Sequence, residues 1–300
     1  MRKLFTLILS LTVVFAFSQQ RMENNKPFPA QVNKATITVT GLGEPGIDPN
    51  ALVASLVGPG ITFSNVTFTG VQGGTGTASA GGFTGGMAIF GIDQGVVLSS
   101  GRAVNSLGPN NSGGTGTSNG LPGDPDLEAV FGCCTYDACV LEFDFIPTAS
   151  TMYVQYVLAS EEYNEYINYA DCFAFFLDGQ NIALIPGSGP PPIPVSVGTI
   201  NLGSYPALYV NNSPGPYDIE ADGFTKVLTA TGTVVPGQTH HIKLALADKG
   251  DGVYDTWVFL KGASFSVVNP DIPTLSQWGL IILGCVLLGF GTFYILRMRG

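Results

Sequence analysis

The sequence predicts an all-β exported domain, a two-sheet, jelly-roll-like β-sandwich carrying one short N-terminal helix and followed by a C-terminal transmembrane helix. Three observations predict it. About ten short stretches show either period-2 alternation or a brief apolar run, separated by Gly, Pro and Asn. Helix signals are scarce between the termini. Both ends of the chain are apolar and both carry basic residues, at the start of the first and the end of the second.

Taken in order, Arg2 and Lys3 precede the apolar stretch from Leu4 to Phe17, and Ala16-Phe17-Ser18 places small residues at the cleavage-defining positions. Residues 1–18 therefore read as a secretory signal peptide, and 19–45 as a lead-in segment. Asp48 is a helix cap, Pro49 the first helical position, and Gly58 the stop for a helix over Asn50 to Val57. It is the one helix the exported part predicts. Alternation predicts strands at Ala35 to Thr40, Ile61 to Thr69, Val140 to Ile146, Met152 to Leu158 and His241 to Ala247. Apolar runs predict more at Gly95 to Leu98, Phe173 to Leu177, Ile182 to Ile185, Trp257 to Leu260 and Ala263 to Val267. Alternating strands with short turns pack as sheet on sheet.

The tracts Gly70 to Gly86, Ser106 to Gly123 and Pro186 to Pro194 read as long surface loops. No period repeats, so solenoids and propellers are excluded. The Gly-Thr-Gly elements are not phosphate loops, because no Lys follows and no helix opens after them. The domain spans 46–268, and 269–277 is a stalk with a short polar motif. Residues 278–300 form a membrane helix with a basic tail, whose apolar run from Gly279 to Leu296 holds no charge. Arg297 and Arg299 then mark the cytoplasmic side, with the middle of the chain exported.

The whole chain has a formal net charge of −10, and removing Arg2, Lys3, Arg297 and Arg299 leaves −14 for the middle. Nucleic acid is excluded as a partner by that sign. Cys285 lies in the apolar tail, leaving Cys133, Cys134, Cys139 and Cys172 outside, an even number suited to an oxidising compartment. Neighbours Cys133 and Cys134 do not pair without strain, so two of the three connectivities remain, each closing a small loop to Cys139 and tying that loop to Cys172. Zinc is the rival reading, but no C-x-x-C pair and no nearby His supports it.

Ile272-Pro273-Thr274-Leu275-Ser276 with Trp278-Gly279-Leu280, an apolar run and a basic end resembles the IPTL-type C-terminal sorting signals of bacterial surface proteins. That resemblance implies an exosortase-type processing enzyme as partner and a span that serves as an address. Asn65 to Gly70, Gly82 to Gly86, Gly91 to Gly101, Leu141 to Phe145, Ala159 to Tyr163 and Ala247 to Thr256 resemble the blocks of the choice-of-anchor L domain. Its members join one exported domain to varied anchors. The resemblance implies a protein of the bacterial cell surface or envelope, and it implies no particular ligand or reaction.

Carboxylates in those blocks are the candidates for chemistry. Asp248, Asp251 and Asp255 lie in a Gly-flanked loop, and Glu161, Glu162, Glu165 and Asp171 form a second cluster interleaved with Tyr163, Tyr166 and Tyr169. Asp124 and Asp126 form a third. Hard cations take six to eight oxygens, so Asp248, Asp251, Asp255, Glu161, Glu162 and Asp171 are the candidate calcium ligands where two clusters meet at one edge. The bland alternative is turn capping by Asp248 and Asp255 and a solvated rim at Glu161 to Glu165. The favoured function is a surface-displayed binding, adhesion or structural module that contacts a glycan or protein through the edge at Tyr163, Glu165, Tyr166 and Tyr169. The alternative is a secreted carbohydrate-active hydrolase using the same edge. A serine hydrolase is excluded: His240 and His241 are adjacent, pointing to opposite faces of a strand, and no nucleophile elbow exists.

Overall fold

A computed structural model describes residues 37–250, 252–270 and 279–288. The fold is two antiparallel sheets. The first joins β1 (Thr38–Gly41), β3 (Ala80–Thr84), β4 (Gln94–Ser99), β13 (Thr256–Lys261), β6 (Thr151–Ser160), β10 (Gly223–Thr225) and β9 (Tyr209–Asn211) in that order, with β11 (Leu228–Thr233) also pairing β6. The second runs β2 (Ile61–Thr69), β5 (Thr135–Pro147), β12 (His240–Lys249), β7 (Cys172–Leu177) and β8 (Gln180–Asn181).

Between the sheets lies the main core, built from alternate residues of facing strands: Leu141, Phe143 and Phe145 of β5 and Leu244 and Leu246 of β12 meet Val154, Tyr156 and Leu158 of β6. Phe265 locks the end of this layer, edge-on to Phe143 and Phe145 at 5.0 Å each. The outer faces are covered as well. Val97, Val157, Trp257 and Phe259 pack under α2 (Met87–Phe90), while Ala174, Phe176 and Ala245 pack under α3 (Pro125–Phe131). Strands buried on both faces read as continuous apolar runs. That is why Cys172–Leu177 is buried at every position.

Helix α1 (Pro49–Leu56) starts as the sequence predicts, with the Asp48 carboxylate accepting from Ala51 N. The expectation of a single helix is corrected by α3, which uses the same devices: Asp124 accepts from the amides of Asp126 and Leu127, Pro125 opens the helix, and Gly132 closes it at φ 66°. The tract expected as a loop from Gly70 to Gly86 contains β3, whose glycines are required because a Cβ on Gly81 would overlap the Thr40 carbonyl of β1. Two expected strands are reduced to isolated bridges. Leu184 pairs only Pro194, since a Pro-rich neighbour cannot donate a ladder. Ala263, at φ 54°, turns the chain before Phe265 and Ser266 can extend a strand.

The ends of the strands place the loops. Thr256 pairs Ser160 and Trp257 pairs Ser99, while Asp248 pairs Tyr136 and Ala247 pairs Cys172. The loops after β4, β6 and β12 therefore converge at one end of the sandwich. Beyond β13 the chain runs the other way, and Ser266 bridges Tyr153 near the start of β6. Residues 279–288 are helical, and among the described residues no helix is long and apolar enough to cross a membrane. The expected signal peptide, the sorting residues Ile272, Pro273, Thr274, Leu275 and Trp278, and the rest of the expected span lie outside the described residues.

Candidate functional site

At the convergent end, Asp137, Glu161, Glu162, Asp171, Asp218, Glu220, Asp222, Asp248 and Asp255 are all buried, none more than 9% exposed. Taking an ionised carboxylate out of water costs several kcal/mol unless it is paired or well hydrogen-bonded. Most of these groups are satisfied by one segment, residues 110–121. Leu121 N and Asn119 N donate to the two oxygens of Asp137 at 2.6 and 2.8 Å. Thr117 N donates to Asp255 Oδ1 at 2.8 Å, and Thr115 N to Glu161 Oε2 at 3.1 Å. The Thr115 hydroxyl donates to Glu220 Oε1 at 2.6 Å, and Asn110 Nδ2 to Asp222 Oδ1 at 2.8 Å. Alternate backbone amides of a glycine-rich strap thus lie on a floor of carboxylates.

The strap's composition follows from that approach. A Cβ on Gly116 would overlap the Val253 carbonyl, one on Gly114 the Tyr254 ring, and one on Gly101 the Asp255 carboxylate. The expectation of a free surface loop from Ser106 to Gly123 is corrected accordingly. Asp137, Glu220 and Asp222 were missed because their partners lie in that distant tract and no motif marks them.

Asp248 and Asp171 stand apart. Glu162 Oε2 accepts from Asp171 N at 2.6 Å, and Asp171 Oδ1 accepts from Lys249 N at 3.1 Å, which ties the second acidic cluster to the loop after β12. Asp171 Oδ2, both oxygens of Asp248, and Glu161 Oε1 are buried without a hydrogen-bond partner. No Lys or Arg ion pair reaches Asp171, Asp248, Asp255 or Glu161 among the described residues. Burial, then the Asp171 charge, pushes the Asp248 carboxyl up to about 10, against a smaller opposing contribution from the Ser100 hydroxyl. Burial likewise pushes Asp171 well above the usual carboxylate range, reinforced by Glu162. Glu161 rises to about 9 through burial and the charges of Asp222, Glu220 and Asp255. Asp255 and Asp222 rise only to about 6, again chiefly by burial, because strap donors offset it.

The space beside Gly252 is where unpaired oxygens face one another. A Cβ built there would lie 3.5 Å from Asp137 Oδ2 and Ser118 Oγ and 3.6 Å from Asp248 Oδ2. A hollow of about 300 Å³ opens over it, lined by Ser118, Leu121, Tyr136, Asp137, Gly250 and Gly252. Hard oxygen donors of this kind suit calcium. Among the described residues no three Asp, Glu, His or Cys side chains already stand at metal-ligand geometry, and Asp251 lies outside them.

The third acidic pair is neutralised otherwise: Asp124 and Asp126 each bond Lys243 Nζ at 2.6 Å. Of the aromatic edge, Tyr163 is corrected to a core residue, 0% exposed, its hydroxyl donating to Ile200 O at 2.9 Å. Glu165, Tyr166 and Tyr169 are exposed, and Tyr166 stacks on Tyr254 at 5.0 Å. A hollow of about 420 Å³ beside them is lined by Asn110, Asn111, Glu165, Tyr166, Ser213 and Asp222. His240 packs on Phe145 and bonds Asp178, while His241 faces outward to Asp144.

The expected cysteine pairing through Cys139 is overturned. Cys139 alternates with Leu141 and Phe143 into the inter-sheet core, its sulfur 3.4 Å from the Ser79 carbonyl. Cys133, Cys134, Cys139 and Cys172 are all free thiols.

Compared with known families, residues 41–266 match the choice-of-anchor L domain. The chain belongs to the choice-of-anchor L domain family. Residues 272–299 match the IPTL-CTERM motif. No curated protein and no solved structure matches the chain. A choice-of-anchor L domain followed by this motif makes the chain an exported cell-surface protein sorted through its C-terminus, and the motif implies processing by an exosortase-type enzyme. In this choice-of-anchor L domain the matched region ends where the described fold ends, four residues after Gly262.

Proposed function

We propose that the chain is a surface-displayed binding module whose acidic end is completed by calcium and whose adjoining edge, Glu165, Tyr166 and Tyr169, contacts a glycan or protein. The observation that carries this reading is Asp248: a carboxylate 2% exposed, neither oxygen hydrogen-bonded, beside a second buried carboxylate and with no cation in contact. Such a group either keeps its proton or holds a metal. A cation held between Asp248, Asp171 and Asp137, with Ser118 and residue 251 at the mouth, removes the need for the proton. Calcium there would neutralise repelling carboxylates and fix the loop after β12 against that after β6.

Binding is favoured over hydrolysis by the burial of Glu161 and Glu162, 1% and 4% exposed, the former beneath the strap. A glycosidase acid must face a sugar cleft, and the exposed members of this edge are tyrosines and Glu165.

The test is thermal unfolding of the full chain in calcium and in chelator. Calcium at a hundredfold over its dissociation constant adds about 2.7 kcal/mol, a rise of roughly 5–10 °C for a domain this large. Asp248→Asn, which loses no protein hydrogen bond, abolishes that rise. A calcium-independent Tm in the wild-type chain would sink the metal reading.

A further inference from the structure

Behind the acidic end, on the outer face of the second sheet, a small apolar cluster of Leu127, Ala138, Val140, Ala174, Ala245 and Ala247 holds two sulfurs. Cys133 follows the Gly132 cap of α3, and Cys172 opens β7. Their Sγ atoms face each other at 3.7 Å across 39 positions of sequence. We propose that Cys133 and Cys172 form a disulfide in the exported protein, with Cys134 and Cys139 left as thiols.

Three features carry this. The sulfurs need to approach by less than about 2 Å to reach bonding distance, a change within the range of a side-chain rotation. Cys133 is half-buried and reachable, while Cys172 is buried, so an oxidant meets one thiol first and the second is enclosed beside it. The competing partners are removed by the fold: Cys139 points into the other core, and Cys134 is exposed. A zinc site is not offered, because Cys139 does not join the pair and no His stands with it among the described residues.

The reaction is a thiol–disulfide exchange with a disulfide-bearing oxidant of the envelope. The Cys133 thiolate attacks one sulfur of the oxidant, breaking its S–S bond and releasing one of its sulfurs, which takes up the proton Cys133 gave. The Cys172 sulfur then attacks Cys133 Sγ, its proton passing to the departing second sulfur. Two thiols of the chain become one disulfide, and the oxidant's disulfide becomes two thiols. Burial, then the neighbouring Cys133, holds the Cys172 thiol well above its ordinary value. Enclosure in the apolar cluster then protects the finished bond from attack. The bridge ties the end of α3 to the residue that follows Asp171, so it also clamps the back of the acidic end.

The experiment takes the full chain exported in a bacterial host, alkylated under denaturing conditions without reductant, digested and mapped by mass spectrometry. The expected result is a Cys133–Cys172 linked peptide pair, lighter by two hydrogens than its separate halves, with the alkyl label on Cys134 and Cys139. Label on Cys133 and Cys172, or a bridge through Cys134 or Cys139, overturns the proposal. Melting supplies a second readout that does not require a variant to fold. Reducing the wild-type chain lowers its Tm on the order of 10 °C, as expected for opening a loop of this length, and an unchanged Tm counts against the bond. The variant Cys133→Ser with Cys172→Ala is insensitive to reductant.

Discussion

Asp248 gives the sharpest test of the acidic end through the pH dependence of stability. In chelator, its folded carboxyl titrates near 10, whereas an unfolded Asp titrates near 4. Between those values the folded chain keeps a proton that the unfolded chain has released. Stability is then greatest at low pH and declines as pH rises through that window, by about 1.4 kcal/mol per pH unit for one group. From about pH 5 to about pH 7 this is roughly 3 kcal/mol, or about 6–12 °C in Tm. Asp171 and Glu161, raised by the same burial, add in the same direction. Scanning fluorimetry of the full chain in chelator reads the slope directly. Asp248→Asn removes one group's share, so the variant is the more stable protein at neutral pH and its curve is flatter. Calcium opposes the decline, since the cation competes with the proton and binds more tightly as pH rises. A wild-type Tm that is flat or rising over this range, or a variant curve parallel to the wild type, would refute the reasoning.

Tyr156→Phe is expected to stabilise the chain by on the order of 1 kcal/mol, read by denaturant unfolding, because its fully buried hydroxyl has no partner to lose. Lys243→Met is expected to destabilise by on the order of 2 kcal/mol, since the ammonium, about 12% exposed, is shared by Asp124 and Asp126. Gly116→Ala, whose Cβ would overlap the Val253 carbonyl, is expected to cost on the order of 2 kcal/mol. It also lifts the strap, so limited proteolysis between residues 106 and 123 accelerates.

Much of the sandwich is legible because alternation and burial share one cause. Ile61–Thr69 is read to the residue, and the apolar run at Phe173 becomes a strand because α3 and the opposite sheet bury both its faces. What escapes is set by contacts far apart in sequence. The glycines of β3 and of the strap look like loop composition, and only the nearness of Thr40 or Val253 shows why nothing larger fits. The Asp124-Pro125 start of α3 carries the same signals as Asp48-Pro49, but the helix is one residue shorter and lies within a tract that reads as coil. The acidic blocks are visible as blocks. Which carboxylates are answered by a donor and which are left bare depends on a segment more than a hundred residues before the loop that holds Asp248. Tyr163 was misplaced for a similar reason: its neighbours Glu165 and Tyr166 face water, while it turns inward to Ile200.

The direction in which the chain departs after β13 has a consequence for how the molecule stands on a cell. Thr256 begins that strand at the carboxylate floor, and Ser266 lies beside Tyr153, at the far extremity of β6. Ten residues of strand separate the two extremities, a height of about 30 Å at 3.3 Å per residue. A protein fastened by whatever follows residue 270 is therefore rooted at its base, like a post, with the strap, the bare aspartates and the exposed tyrosines as its crown, turned toward the medium and whatever approaches from it.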